Sequence, residues 1–296
     1  MMAVQAPFPV AIVGVGNMGG AMARRLLSLG WPVHVCDLVP ERAQSLQEFG
    51  AVAHDWPDQA AMESVVCIVC VVDAAQTETV LFGAHGVASA MRLGRVVMLC
   101  PTLAPGEVEG FAQRLVPQGL HTVDAPMSGG PARALAGTMS LMVACVRSVY
   151  ERHEALFTAL SSQVFRISER VGDGARTKLV NNLAAAINLA GAAEVMAMAQ
   201  TMGLDLERTL AVMEQSSGQS WIGSDRMRRA IAHDYAPRAH MTLLQKDTRL
   251  AVQAAKAAGF DGLLGPVVRD VFARASEQGL SDLDDAALLQ WFQGRR

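Results

Sequence analysis

The sequence predicts an α/β protein in two parts: a doubly wound, mostly parallel sheet followed by an all-helical region. Short valine-rich runs alternate with helical patterns through the first half of the chain, as is typical of parallel strands joined by crossover helices. After Gly172 the strand-like runs stop, and only helical patterns follow. We therefore expect one domain over residues 1–170 and a second over residues 171–296.

The strands are predicted from short runs rich in Val and bounded by Gly, Pro or Asp. They span residues 10–13, 33–36, 65–72, 96–100 and 122–125. Two further runs, 140–145 and 163–166, flank a helical stretch rich in Glu, Arg and His. We expect these two runs to extend the edge of the sheet.

The helices are predicted from apolar periodicity and from the residues that stop it. Residues 21–29 and 40–49 are helical stretches between strands. Those after Gly172 are 174–202, 205–215, 222–233, 241–258, 266–278 and 284–292. Three of these segments are followed by a glycine, and Pro266 marks a helix start. The helix over 174–202 is apolar nearly all round, which favours burial between domains or subunits.

The composition is that of an ordered globular protein, with 51% hydrophobic and 18% charged residues and a net charge of −3. No basic patch interleaved with aromatic residues suggests a nucleic-acid partner. The longest unbroken apolar run, 65–72, is too short to span a bilayer. The first ten residues lack the pattern of a secretory signal. We expect a cytoplasmic protein whose partner is a small molecule.

The five cysteines lie in or beside the strand-like runs at Cys36, Cys67, Cys70, Cys100 and Cys145. Cys67 and Cys70 form a C-x-x-C pair, but residues i and i+3 of a strand face opposite sides of the sheet. A shared metal or a disulfide is therefore not expected, and the cysteines are interpreted as buried thiols.

A dinucleotide-binding turn is predicted directly after the first strand. The residues Gly14-Val-Gly16-Asn17-Met18-Gly19 form G-x-G-x-x-G between a strand and a helix. Gly14 would permit the tight turn, Gly16 the approach of the pyrophosphate, and Gly19 close packing of helix on strand. The alternative is a glycine-rich turn with no ligand. The context of strand, turn and helix favours a Rossmann-like domain.

Asp37 ends the second strand, where an acid that binds the adenosine ribose is expected. A carboxylate there repels a 2′-phosphate and so favours NAD over NADP. Alternatively, Asp37 could be a helix N-cap ahead of Pro40. Arg42 is close enough along the chain to reach a phosphate, which leaves NADP open.

A second ligand loop, Ser128-Gly129-Gly130, follows the strand-like run 122–125. Adjacent glycines expose backbone N–H groups at the end of the sheet where α/β proteins bind ligands. The loop suits a carboxylate, with the Ser128 hydroxyl as a further donor. The alternative is an ordinary glycine turn.

Lys178 and Asn182 lie at i and i+4 at the start of the long apolar helix, so they share one face. A lone cation on such a helix is costly unless it faces a cleft or a partner. Lys178 is therefore a candidate proton-transfer group beside an amide that could orient a substrate. A solvated surface lysine is the alternative.

Together these motifs resemble the β-hydroxyacid dehydrogenase family, over essentially the whole chain. That family includes 3-hydroxyisobutyrate dehydrogenase, tartronate semialdehyde reductase and L-threonate dehydrogenase. Beside the glycine turn, the matching signatures are Asp124-Ala-Pro126-Met-Ser128-Gly129-Gly130 with Gly137-Thr138, Gly172-x-Gly174-x-x-x-Lys178-x-x-x-Asn182, and Lys246-Asp247 near the end of a helix-like run. The stretches 71–83, 217–227 and 282–287 look most similar to the L-threonate dehydrogenase branch.

The resemblance implies hydride transfer between a nicotinamide cofactor and a small hydroxy acid. It implies that Lys178 is the general acid/base and that Asn182 orients the substrate. It further implies that Ser128, Gly129 and Gly130 hold the substrate carboxylate. L-threonate is the first expectation, with 3-hydroxyisobutyrate or tartronate semialdehyde as alternatives. We expect a homodimer or homotetramer.

The resemblance also places Thr102 and Lys246 near the cofactor. Val71-Val72 stands where the family has Leu-Pro, and Thr102 alone remains of the family's Asp-x-Ser-Thr run. Thr102 could instead shape a turn, and Lys246 could be a surface cation. A 6-phosphogluconate dehydrogenase would carry His where this chain has Asn181, and an imine reductase would lack Lys178. A non-catalytic dinucleotide-binding module is the alternative outside enzymes.

Overall fold

The computed structural model describes residues 6–294 and divides into two compact units between Lys178 and Leu179. The first unit contains a nine-stranded sheet. Its strands are β1 (Val10–Val13), β2 (Val33–Cys36), β3 (Val52–Ala53), β4 (Val66–Val69), β5 (Val96–Leu99), β6 (His121–Asp124), β7 (Met127–Ser128), β8 (Ser140–Ala144) and β9 (Gln163–Ser168).

The strand order is β3-β2-β1-β4-β5-β6-β8-β7, with β9 paired to β8. Strands β1 to β6 run parallel, whereas β8 is antiparallel to β6 and β7 and parallel to β9. The order reverses between β1 and β4, which is the switch point of a doubly wound sheet. The predicted fold class is confirmed, and β8 and β9 extend the sheet as expected.

Alternation along the strands sends side chains to two separate cores, one on each face of the sheet. Val10 and Ile12 of β1 pack into one core, and Ala11 and Val13 pack into the other. The helices of this unit are α1 (Asn17–Ser28), α2 (Pro40–Gln44), α3 (Pro57–Met62), α4 (Ala74–Phe82), α5 (Val87–Ala90), α6 (Pro105–Leu115), α7 (Gly130–Ala136) and α8 (Arg147–Leu160). The predicted helix over 40–49 is α2 followed by a short 3-10 turn at Gln47–Phe49.

The helix α9 (Asp173–Thr201) begins in the first unit and continues into the second. The second unit also contains α10 (Leu206–Glu214), α11 (Trp221–Ile231), α12 (Met241–Ala257), α13 (Leu264–Ala275) and α14 (Leu288–Gln293). Gly203 and Gly259 follow α9 and α12 with φ of +75° and +77°, as expected of glycines that end helices. Pro266 lies in the first turn of α13, because that helix begins at Leu264.

Helix α9 is long and apolar enough to cross a membrane by length and composition alone, and 44% of its most apolar segment is buried inside the protein. Core helices of globular proteins share these properties. Burial is not complete around α9, however. Val180 and Met198 are 72% and 56% exposed in the single chain.

Candidate active site

Three glycines shape the turn between β1 and α1, each for a different steric reason. Gly14 has φ +89°, and a Cβ there would lie 2.6 Å from the Cys70 carbonyl oxygen. A Cβ at Gly19 would lie 2.0 Å from the Gly14 oxygen, so helix and strand pack closely only with glycine. At Gly16 a Cβ would have only an Arg42 nitrogen within 4 Å, at 3.9 Å. Gly16 therefore leaves open space beside the backbone.

The start of α1 suits a phosphate. Asn17 and Met18 open this helix, no side chain caps it, and its first turn contains no acidic residue. Free N–H groups and the helix dipole favour an anion at such a position. A cleft of about 420 Å³ adjoins it, lined by the turn and by Arg24, Arg42 and Ser45 among others. The residues present therefore fit the phosphates of a dinucleotide.

Asp37 is fixed at the end of β2 by two backbone donors. Its Oδ2 accepts the Val15 N–H at 2.7 Å, and its Oδ1 accepts the Val39 N–H at 2.9 Å. Val39, not Asp37, is the N-cap of α2, so the N-cap alternative for Asp37 is wrong. The Arg42 guanidinium lies 3.5 Å from Asp37 Oδ1. A carboxylate and a guanidinium thus lie together at the carboxyl end of β2.

Further predicted cofactor residues follow the next strands. Val71 and Val72 follow β4, where the Val72 N–H donates to Gln76 Oε1 at 3.2 Å. Thr102 lies between β5 and α6 and is partly buried. Because β1, β2, β4 and β5 are parallel, the glycine turn, Asp37, Val71-Val72 and Thr102 all lie at the edge formed by the carboxyl ends of these strands.

The Ser128 loop contains two consecutive glycines in the left-handed region. Ser128 ends β7 and pairs with Ser140 of β8. Gly129 has φ +125° and Gly130 has φ +76°, and a Cβ at Gly130 would meet no atom within 4 Å. Successive peptides in such conformations can point their N–H groups at one anion. The loop thus offers backbone donors and one hydroxyl, with open space beside Gly130 and with Arg133 close beside Gly129.

The start of α9 is held by a buried carboxylate, Asp124 at the end of β6. Its Oδ2 accepts the N–H groups of Gly172 at 2.9 Å and Ala175 at 3.0 Å. A Cβ at Gly174 would lie 2.9 Å from the Asp124 carboxyl, which explains that glycine. Burial raises the pKa of Asp124 to about 6, although these N–H donors act in the opposite direction. Asp124 belongs to one of the matching signatures, but no role for it was predicted from the sequence.

Lys178 and Asn182 are both buried on α9, with exposed fractions of 7% and 8%. The interpretation of Lys178 as a solvated surface lysine is therefore wrong. Val180, between them along the chain, points to solvent at 72% exposure. Spacing by one helical turn puts the ammonium and the amide on the same, buried face.

Asn182 is tied to α12 through Asp247. Its Nδ2 donates to Asp247 Oδ2 at 2.6 Å, and Lys246 Nζ lies 3.3 Å from Asp247 Oδ1. The Lys246 side chain is only 19% exposed, so a free surface cation is the wrong interpretation here too. Lys246 and Asp247 lie in the second turn of α12, not near its end.

Sequence reasoning missed a buried charged network in the second unit. Arg229 pairs with Asp284 at 2.9 Å, and Arg226 donates to Asp285. Asp284 also accepts three backbone N–H groups. Burial acts to raise the pKa of Asp284, but Arg229 and these N–H groups outweigh burial and lower the pKa to about 2. The partners lie far apart along the chain, so no local pattern pointed to them.

The cysteines are buried or partly buried thiols, as the sequence predicted. Cys67 packs on one face of the sheet and Cys70 on the other. Burial raises the pKa of each of these two thiols to about 12. Within residues 6–294, no group of three or more His, Cys, Asp or Glu residues could hold a metal ion.

Two family models match the chain. Residues 9–168 match the NAD-binding domain of 6-phosphogluconate dehydrogenase, and residues 172–292 match the NAD-binding domain of NADP-dependent 3-hydroxyisobutyrate dehydrogenase. The chain is 35% identical to L-threonate dehydrogenase of Cupriavidus necator, over 96% of both chains. It is 31% identical to 2-hydroxy-3-oxopropionate reductase of Escherichia coli, over 95% of this chain and 96% of the relative.

A solved structure shares both sequence and fold. The crystal structure of 3-hydroxyisobutyrate dehydrogenase from Salmonella typhimurium is 33% identical, with a TM-score of 0.90, and covers 96% of this chain and 99% of that one. The turn between β1 and α1, the helical second unit and the full-length similarity all indicate the same family. The chain therefore belongs to the β-hydroxyacid dehydrogenase family, whose members are NAD(P)-dependent oxidoreductases acting on the CH–OH group of hydroxy acids.

Proposed function

We propose that this enzyme is an L-threonate dehydrogenase in which Lys178 is the general acid/base. The observation that carries the catalytic part is the burial of Lys178 and Asn182 one turn apart on an apolar helix. The substrate is inferred from the 35% identical relative of that name. In oxidation, Lys178 accepts the proton of the substrate hydroxyl, and in reduction it returns that proton.

The substrate is held at both ends in this proposal. The Ser128 hydroxyl and the N–H groups of Gly129 and Gly130 bind its carboxylate, because both glycines have positive φ and open space lies beside Gly130. The Asn182 amide orients the hydroxyl that reacts. Holding the acid in one geometry lowers the entropic part of the barrier.

The cofactor, when bound, supplies the hydride chemistry. We infer that the residues that hold it are Gly14, Gly16, Asn17, Met18, Gly19, Asp37, Val71, Val72, Thr102 and Lys246. Asp37 favours the free ribose diol of NAD, and Arg42 beside it offers a charge for the 2′-phosphate of NADP.

We infer that the enzyme works in the cytoplasm as a homodimer or homotetramer. The support for an oligomer is the row of exposed apolar side chains on α9, which includes Val180 and Met198. Apolar patches of this kind are typical of contact surfaces.

A spectrophotometric screen of C3 to C6 hydroxy acids, run in parallel with NAD and NADP, tests the proposal. We expect the highest kcat/KM with L-threonate and NAD. A higher value for 3-hydroxyisobutyrate, or for 2-hydroxy-3-oxopropionate in the reverse direction, would select the activity that similar proteins carry. Dinucleotide binding without turnover of any acid would indicate a non-catalytic module.

A further inference from the structure

Asp247 is a buried carboxylate, 5% exposed, whose position on α12 links two residues of the proposed site. One oxygen accepts a hydrogen bond from Asn182 Nδ2 at 2.6 Å. The other lies 3.3 Å from Lys246 Nζ. Burying a carboxylate is costly unless it is paired, and the lysine and the amide supply that pairing.

This contact fixes which way the Asn182 amide faces. A carboxylate can only accept hydrogen bonds, so the amide must turn its nitrogen toward Asp247. Rotating the amide by 180° would bring two oxygens together at hydrogen-bonding distance. On the other side, Asn182 Oδ1 accepts from Asn181 Nδ2 at 3.1 Å, which favours the same orientation. Asn182 thus presents its oxygen and its second N–H in defined directions.

The second oxygen of Asp247 has unused capacity. Within residues 6–294, Asp247 Oδ1 is buried and has no hydrogen-bond donor of suitable geometry, although Lys246 neutralises its charge. Among the described residues, Asp247 therefore accepts one well-formed side-chain hydrogen bond, and its donor is the amide of Asn182. This geometry matches a group that orients a neighbouring side chain.

We propose that Asp247 is the positioning residue that holds the Asn182 amide in the orientation required to bind the hydroxy acid. The inference rests on the proposed role of Asn182 in substrate binding. Asp247 does not itself exchange a proton or a hydride. It acts through Asn182, and Lys246 balances its charge.

The test is a double-mutant cycle with Asp247→Asn and Asn182→Ala, using L-threonate as the probe. Asp247→Asn keeps the shape but allows either amide orientation. We expect kcat/KM to fall about 10- to 100-fold, the value of a lost hydrogen bond to a charged group. The double variant should match Asn182→Ala within about twofold, because Asp247 acts through that residue. If the fold-losses in kcat/KM of the two single variants multiply in the double variant, the two residues act independently and the proposal is overturned.

Asp285→Asn is the matched control, since Asp285 is another buried acid of the same unit but pairs with Arg226. Both variants should lower Tm, but only Asp247→Asn should lower kcat/KM. If Asp247→Asn lowers Tm alone, Asp247 is a structural residue and the proposal fails.

A second readout does not depend on turnover. In protein labelled with ¹⁵N-asparagine, the side-chain amide signals of Asn182 are those that Asn182→Ala removes. We expect Asp247→Asn to shift these signals and Asp285→Asn to leave them in place. Unchanged signals in Asp247→Asn would overturn the inference. A screen without any turnover would contradict the proposed function and leave this spectroscopic test intact.

Discussion

The two units fix their functional residues by different physical means. In the first, the constraint is in the backbone: Gly14 needs φ +89°, and Gly19 packs where a Cβ would lie 2.0 Å from an oxygen. In the second, the constraint is in buried side-chain pairs such as Asn182 with Asp247. Backbone constraints act within a few residues, whereas charged partners come from distant parts of the chain. A local constraint leaves a motif in the sequence, and a distant pair does not.

Asp124 shows that the first unit also uses a buried carboxylate. It binds the N–H groups of Gly172 and Ala175, and Gly174 makes the close approach sterically feasible. The carboxylate therefore holds backbone, not another side chain. In the second unit, Asp284 does both, because it accepts backbone N–H groups and pairs with Arg229.

The largest expected effect is the loss of turnover on substitution of Lys178, the last residue of the first unit. The sequence contains only three lysines, Lys178, Lys246 and Lys256, and the last is exposed. Lys178→Ala should reduce kcat by about 10²- to 10⁴-fold, the usual worth of general acid/base catalysis. Steady-state kinetics with Lys256→Ala as the control would check this. Unchanged turnover in Lys178→Ala, with the fold intact, would remove the catalytic lysine from the mechanism.

The next largest expected effect is on the stability of the second unit, through its buried charged network. Asp284 is fully buried and lies 2.9 Å from Arg229, so Asp284→Ala leaves that buried guanidinium with only the more exposed carboxylate of Asp225, 3.3 Å away. We expect the free energy of unfolding in urea to fall by about 3–5 kcal/mol. Asp234→Ala, which breaks the more exposed pair with Arg238, should cost less than about 1 kcal/mol. Equal losses in both variants would show that the buried network does not stabilise this unit.

The fold was predictable from the sequence wherever periodicity extends over several residues. The parallel strands, the crossover helices and the helical second unit all follow from such patterns. Strand β3 was not predicted, because Val52–Ala53 is too short to show alternation and Val52 is 49% exposed. Strand β7, also two residues long, was missed for the same reason.

The candidate site was predictable only in part. The glycine turn and the pair Lys178 and Asn182 are visible because their spacing is fixed by a turn or by one helix. The burial of Lys178 was not visible, since a lysine on an isolated helix is usually solvated. The roles of Asp124 and Asp247 depend on contacts between distant segments, which composition and spacing do not encode.

The smallest expected effect is a pH dependence of stability that distinguishes Asp124 of the first unit from Asp284 of the second. Burial raises the pKa of Asp124 from 3.8 to about 6, so folding favours its protonated form. Its contribution to stability is complete below pH 3.8 and is lost as pH rises through 6, by at most about 3 kcal/mol. Asp284, with its pKa lowered to about 2, behaves oppositely and loses its contribution only as pH falls.

The measurement is the difference in unfolding free energy between the wild type and Asp124→Asn from pH 4 to 8. Asp173 at the start of α9 and the thiols of Cys100 and Cys145 interact with Asp124 and are common to both proteins. Taking the difference therefore isolates the Asp124 carboxyl. We expect the wild type to lose stability relative to Asp124→Asn as pH rises from 4 to 6, and the difference to be flat above pH 7. If the wild type instead loses stability relative to Asp124→Asn as pH falls, the backbone donors outweigh burial at Asp124. The backbone donors and Arg229 outweigh burial in this way at Asp284.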